Sequence, residues 1–186
     1  MKAIEIREYD GRWPGEFELV AASLRAALGD LALAVDHIGS TSVPGLAAKD
    51  VIDVQVTVAA LSDGVRDALV GAGFAHRDDI TGDHVPAPSA APAQPADWAK
   101  LYFQQRPGER PAHIHVRVAG APNQRYALLF RDYLRAHPAS AQAYATLKRE
   151  LARRFRDDAD AYYDVKDPAC DLVWEAAKEW AAGGRR

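Results

Sequence analysis

Residues 37–58 read HIGSTSVPGLAAKDVIDVQVTV, and the last eight of them decide the fold. Ile52, Val54, Val56 and Val58 alternate with Val51, Asp53, Gln55 and Thr57, the period of a strand with one face in a core. A carboxylate in mid-strand between Ile52 and Val54 is costly unless it faces a cleft, a cation or a donor. Asp53 is therefore the leading candidate for a functional side chain, with Gln55 beside it on the same face. The run before the strand combines Gly39 and Gly45 with Pro44 and three consecutive hydroxyls, Ser40, Thr41 and Ser42. It reads as a hydroxyl-rich turn or as an anion-binding cradle.

Outward from this strand the apolar period switches between two and three-to-four. Residues 3–7 suit a short edge strand. Pro14 suits the first turn of a helix with Phe17, Leu24 and Leu28 on one face. Residues 31–38 are apolar enough for a buried strand ending at Gly39. Ser62 is a cap for a helix reaching Gly71 or Gly73, and residues 82–95, GDHVPAPSAAPAQP, have the composition of an irregular loop. Residues 99–105 and 113–118 predict two strands joined by RPGERP. Three helices follow: 122–137, 138–155, and a last one with Asp167 as cap and Pro168 at its first position. The order predicts one α+β domain over residues 1–186, a small mixed sheet with helices and a C-terminal helical tail.

Composition narrows the function classes. The chain has 186 residues, long enough for a sizeable core, and 23 Lys plus Arg against 26 Asp plus Glu, so no positive field draws in nucleic acid. Any anionic ligand is small or is met by a local patch. The start, MKAIEIREYDGRWPGEF, carries charges where a signal peptide needs an apolar core, and no apolar run approaches the roughly 20 residues of a membrane span. A cytoplasmic protein without membrane contact is expected. Cys170 is the single cysteine, which excludes an intrachain disulfide and a thiolate metal cage and points to core packing.

Several polar residues admit two readings. Lys49, just past the loop, is either a solvated charge or a phosphate partner. His113, His115 and Arg117 share one face of their strand. His-x-His is a two-ligand metal spacing, yet strand histidines are often hydrogen-bonded core or rim residues; His115 is alternatively a general base or a phosphate donor. No GxSxG, GxxxxGK[ST] or post-strand GxGxxG is present.

HIGSTSVPGLAAKDVID, followed in order by HIHV, FRDYLRAHP, AYATLKREL and YYDVK, resembles the GrpB family. The resemblance runs from about Tyr9 to Trp180. It implies the nucleotidyltransferase fold of the DNA polymerase beta superfamily, in a family whose members occur alone or fused to dephospho-CoA kinase, and it implies no settled reaction. The superfamily pattern is a Gly-Ser turn, then Asp-x-Asp/Glu on a strand and a third acid on a later one, holding Mg²⁺ against nucleotide phosphates. Gly39, Ser40 and Asp53 match it. Gln55 departs from it, and the HIHV histidines stand where the third acid might. What remains is one divalent metal, Mg²⁺, Mn²⁺ or Zn²⁺, held by Asp53 and His115.

The matching helices add Arg131, Arg135, Lys148 and Lys166, with Tyr163 as a candidate to cover a base. Arg131 either pairs with Asp132 at the surface or reaches a triphosphate. The resemblance thus implies catalytic roles for Asp53 and His115, and phosphate contacts from Gly39, Ser40, Thr41, Ser42, Lys49, Arg131, Lys148 and Lys166. Three functions follow as expectations. One is a metal-dependent nucleotidyltransferase acting on a small-molecule acceptor, with a reduced acidic motif. The others are a module binding a nucleotide or other phosphorylated small molecule, and a folding or assembly partner of a CoA-pathway kinase.

Overall fold

The computed structural model describes residues 3–86 and 94–184. Helix α1 (Trp13–Leu28) leads into strand β1 (Ala34–Ile38), and a 3-10 turn at Ser40–Ser42 precedes β2 (Ile52–Val58). Next come α2 (Asp63–Gly71), β3 (Ala75–His76), a 3-10 turn at Pro95–Trp98, β4 (Leu101–Gln104) and β5 (Ala112–Val118). Helices α3 (Pro122–Ala136), α4 (Pro138–Arg154) and α5 (Ala159–Ala182) complete the chain. The expected α+β class holds.

The sheet runs β1-β2-β5-β4-β3, with β2 and β5 parallel and the other pairs antiparallel. Its alternation sorts the two faces. Ile52, Val54 and Val56, with Ile114 and Val116 of β5, are fully buried against Trp13, Phe17 and Leu24 of α1 and Val65 and Leu69 of α2. Each such side chain contributes about 1.5–3 kcal/mol on burial. The polar side chains of β2 and β5 are thereby turned to the opposite face, which α3 partly covers. There Val43, Leu46 and Ala47 pack with Leu134, Ala141, Tyr144, Ala145 and Cys170, joining the loop after β1 to the helical tail.

Several boundaries differ from the sequence reading. Residues 3–7 form no strand; Arg7 makes one isolated bridge to Ala48. Residues 29–31 form a 3-10 turn, so β1 is shorter than expected, and β3 was not foreseen. The last helix starts nine residues earlier than Asp167 + 1: Asp158 caps it by accepting from the Ala161 amide, and Pro168 lies inside it. Burial of Tyr162, Cys170 and Ala177 along the whole helix offsets the cost of an interior proline. Of the expected loop 82–95, residues 87–93 lie outside the described residues, while Gly82 bridges to Ala99.

Candidate functional site

The parallel β2–β5 register sets Asp53 opposite His113, Gln55 opposite His115 and Thr57 opposite Arg117. Asp53 Oδ1 lies 3.3 Å from His113 Nδ1 and 4.0 Å from His115 Nε2. Desolvation pushes the Asp53 carboxyl up, but the hydrogen bond from His113 and the electrostatic pull of the neighbouring His113, His115 and Lys49 side chains outweigh it and hold its pKa below the ordinary value. With Nδ1 donating to Asp53, His113 keeps Nε2 as its acceptor. Gly39 closes the other side of Asp53. Its φ of +67° suits glycine, and a Cβ there would stand 2.8 Å from Asp53 Cβ.

Two positions along β2, the amide of Gln55 is fully buried and used at both ends. Its Nε2 donates to the Gln124 carbonyl at 3.2 Å, and its Oε1 accepts from Arg117 Nη1 at 2.7 Å. Arg117 also donates to both oxygens of Asp83, at 2.8 and 3.0 Å, and Lys100 Nζ donates to Asp83 at 2.7 Å. Asn123 adds a bond from its Nδ2 at 3.0 Å. Burial opposes ionisation of Asp83, but Arg117 and Lys100 hold its pKa far below the usual carboxylate range. Arg117 Nη2 and Lys100 Nζ also lie 3.2 and 3.4 Å from His115 Nδ1. Both groups only donate, so Nδ1 accepts and the ring proton sits on Nε2, toward Asp53. Burial first, then Arg117 and Lys100, drive the His115 pKa well down, leaving a neutral ring.

Asp83 was missed because it lies in a stretch that reads as loop. The signal that could have found it is electrostatic: Lys100 and Arg117, buried in the sheet, need a counter-charge.

Lys148 from α4 enters the cleft from the helical side. It is 3% exposed, and its Nζ donates to Ser40 Oγ at 2.7 Å and to the Ala47 carbonyl at 2.5 Å, above the Tyr144 ring. Lys49 Nζ donates to Tyr163 Oη at 2.5 Å, and both Lys49 and Lys166 face the Tyr163 ring. Ser40, Lys49, Lys148 and Lys166 thus gather at one corner. The neighbouring hydroxyls act as braces: Thr41 bonds His37 Nε2 at 2.9 Å, and Ser42 donates to the Gly39 carbonyl at 2.6 Å. Arg131 is outside the cleft lining, donating to the His37 carbonyl and pairing with Asp132. Arg135 holds the Ser42 carbonyl through two bonds. Both arginines fasten the Gly-Ser turn to α3.

These groups line one cleft of about 540 Å³, with Gly39, Ser40 and Thr41 at its edge, Asp53, His113 and His115 on the sheet, and the rings of Tyr126, Phe130 and Tyr162 across from them. At the rim His84 Nε2 meets the Asp171 carboxylate of α5 at 3.1 Å. Among the described residues, no group of three or more His, Cys, Asp or Glu side chains is arranged to hold a metal ion. The donor chemistry explains this. Gln55 and Asp83 are committed to Arg117 and Lys100, and His115 presents a protonated nitrogen, so the expected pairing of Asp53 with His115 as metal ligands does not fit these residues.

The sequence matches the family described as GrpB protein over residues 3–176. It is 38% identical to a dephospho-CoA kinase of Mycolicibacterium paratuberculosis across 92% of this chain and 45% of the kinase. The chain thus spans about half the length of the curated relatives it matches. A crystal structure of conserved protein GrpB from Enterococcus faecalis has 31% identity and a TM-score of 0.75, covering 95% of this chain and 99% of that one. A Cid1 poly(U) polymerase with MgGTP bound is 13% identical, with a TM-score of 0.50 over 80% of this chain and 45% of that one; this likeness establishes a nucleotidyltransferase-like fold. No helix among the described residues is long and apolar enough to cross a membrane.

Proposed function

The chain belongs to the GrpB family, and from that premise we propose that its cleft binds a nucleoside triphosphate and transfers the nucleoside monophosphate to a hydroxyl of a small acceptor. The observation that carries the reading is the meeting of two unlike groups in one cleft: the lysine corner at Ser40 and the Asp53–His113 pair on the sheet. The corner holds the β- and γ-phosphates by charge. The rings of Tyr126, Phe130 and Tyr162 form an apolar wall for the base.

His113, oriented by Asp53, takes the acceptor's proton on Nε2. The acceptor oxygen then bonds the α-phosphorus, the bond from that phosphorus to the bridging oxygen breaks, and pyrophosphate leaves with the electron pair. His115 offers its Nε2–H to the charge that develops on the transferring phosphoryl group. The two-metal carboxylate array does not fit this donor set, and no step is assigned to it.

The test is a thermal-shift panel of nucleotides with and without divalent metal, followed by pyrophosphate release in the presence of hydroxyl acceptors that include CoA precursors. Binding of one nucleotide by the folded state raises the melting temperature. Asp53→Asn should then slow pyrophosphate release at least about a hundredfold while changing nucleotide affinity by less than about threefold. No stabilisation by any nucleotide would overturn the proposal.

A second reading, a binding module without catalysis, draws on the same committed state of Gln55 and Asp83. It expects nucleotide binding without pyrophosphate release, and tighter binding by Asp53→Asn as a nearby negative charge disappears.

A further inference from the structure

Lys148 is buried, yet no carboxylate pairs with its ammonium among the described residues; its hydrogen-bond partners are the neutral Ser40 hydroxyl and Ala47 carbonyl. A buried charge without a counter-ion is costly, and here the Lys166 ammonium adds repulsion. Lys49, a few residues from Ala47, is also bound to a neutral partner, Tyr163 Oη. Lys166 alone has an acid, Asp167 at 2.9 Å. The corner therefore gathers three lysines and one bonded carboxylate around the Ser40 and Tyr163 hydroxyls, and with Lys148 protonated its cations outnumber Asp167 and the more distant Asp53.

We propose that this corner is a subsite for a multiply charged inorganic anion of the diphosphate class, filled by these lysines without a divalent metal. The proposal rests on the cleft being a phosphate site, and it adds the charge carrier. Compensation that other phosphate sites draw from magnesium comes here from side chains already fixed in the fold. The groups facing Lys148 are Tyr144 and Arg149 on its own helix, Lys166, Tyr162 and Cys170 of α5, Ser40, and Asp53 of β2. Burial first, then Lys166, lower the Lys148 pKa to about 7, while Asp53 and Cys170 pull it the other way. An anion at the corner stabilises only the charged form, so its binding raises that pKa. Affinity is then greatest below pH 7 and falls as the pH climbs above it.

The experiment titrates the full chain in EDTA with two probes. Inorganic sulfate carries a constant double charge through the neutral range, and inorganic pyrophosphate tests the diphosphate itself. With a free pKa of about 7 for Lys148, sulfate affinity should fall about tenfold from pH 6 to pH 8. Lys148→Arg, permanently charged, should bind sulfate with a flat profile; if that variant fails to fold, the wild-type slope decides alone. Pyrophosphate should bind in EDTA and be displaced by sulfate. Sulfate binding that ignores pH, or pyrophosphate binding that requires magnesium, overturns the proposal. If nucleotides stabilise the protein only with magnesium while neither probe binds, this inference fails and the nucleotide site survives. If nothing phosphorylated binds, both fall together.

Discussion

Gly39→Ala isolates what the Gly-Ser turn contributes. At φ +67° and ψ −172°, this residue occupies a region that is nearly glycine-only and costs another residue about 1–3 kcal/mol. The added methyl would also lie 2.8 and 2.9 Å from Cβ and Cγ of Asp53. Asp53 sits in a central strand and cannot retreat without disturbing its pairing, so the overlap adds about 1–3 kcal/mol. The sum, about 2–6 kcal/mol, is a large share of the 5–15 kcal/mol that stabilises a typical domain. Gly45→Ala supplies the control: its φ is +77°, but nothing lies within 4 Å of the new Cβ, so only the backbone cost of about 1–2 kcal/mol applies. Urea unfolding of both variants measures the difference. Gly39→Ala should be the less stable by at least about 1 kcal/mol, with the His113 resonances displaced as Asp53 moves. Equal stability with unmoved His113 signals would refute the reasoning, and glycine would then be needed only for ligand approach.

Gln55→Glu, the change that restores a second acid on β2, should create no magnesium site. It removes the donor to the Gln124 carbonyl and gives Arg117 a second acid, so we expect a loss of about 1–3 kcal/mol from the unsatisfied carbonyl and no magnesium-dependent rise in melting temperature; such a rise would contradict it. Arg131→Ala should lower stability while leaving phosphate affinity within about twofold, because its bond goes to the His37 carbonyl outside the cleft; a tenfold affinity loss would return Arg131 to the ligand. His37, stacked on Phe17 at 4.7 Å, has its pKa lowered from 6.5 to about 4, first by burial and then by Arg135 and Arg131. A histidine with a depressed folded pKa adds stability above its unfolded value and loses it as the pH falls, so stability should drop by about 3 kcal/mol between pH 6.5 and pH 4. Urea titrations across that range should show the decline, and a flat profile would sink this assignment.

The strand at 52–58 was legible because its alternation is unbroken, and that one pattern fixed which residues share a face with Asp53. The helical residues were less legible. Periodicity says that Arg131 and Arg135 lie on one stripe, but not that the stripe faces the Gly-Ser turn from outside the cleft. Lys148 reads no differently from Arg131 in sequence, yet the packing of Tyr144 and Ala145 against Val43 and Leu46 turns it inward. The start of α5 was misread because Asp158 and Asp167 are both acceptable caps and Pro168 favours the second. Asp83 was hidden most deeply, since its partner Arg117 is 34 positions away and neither neighbourhood signals the other.

The corner around Ser40 has a consequence for how the chain matures. Lys148 is 108 positions from Ser40, and Tyr163 is 114 from Lys49; these contacts close far longer loops than the β1–β2 pairing does. Closing them costs chain entropy before any contact rewards it. The sheet strands are synthesised before α4 and α5, so an early chain can pair its strands while the lysine corner is still only Ser40 and Lys49. A ligand gripped by both halves would then act as a late clasp, recognising the finished molecule and passing over the partly made one.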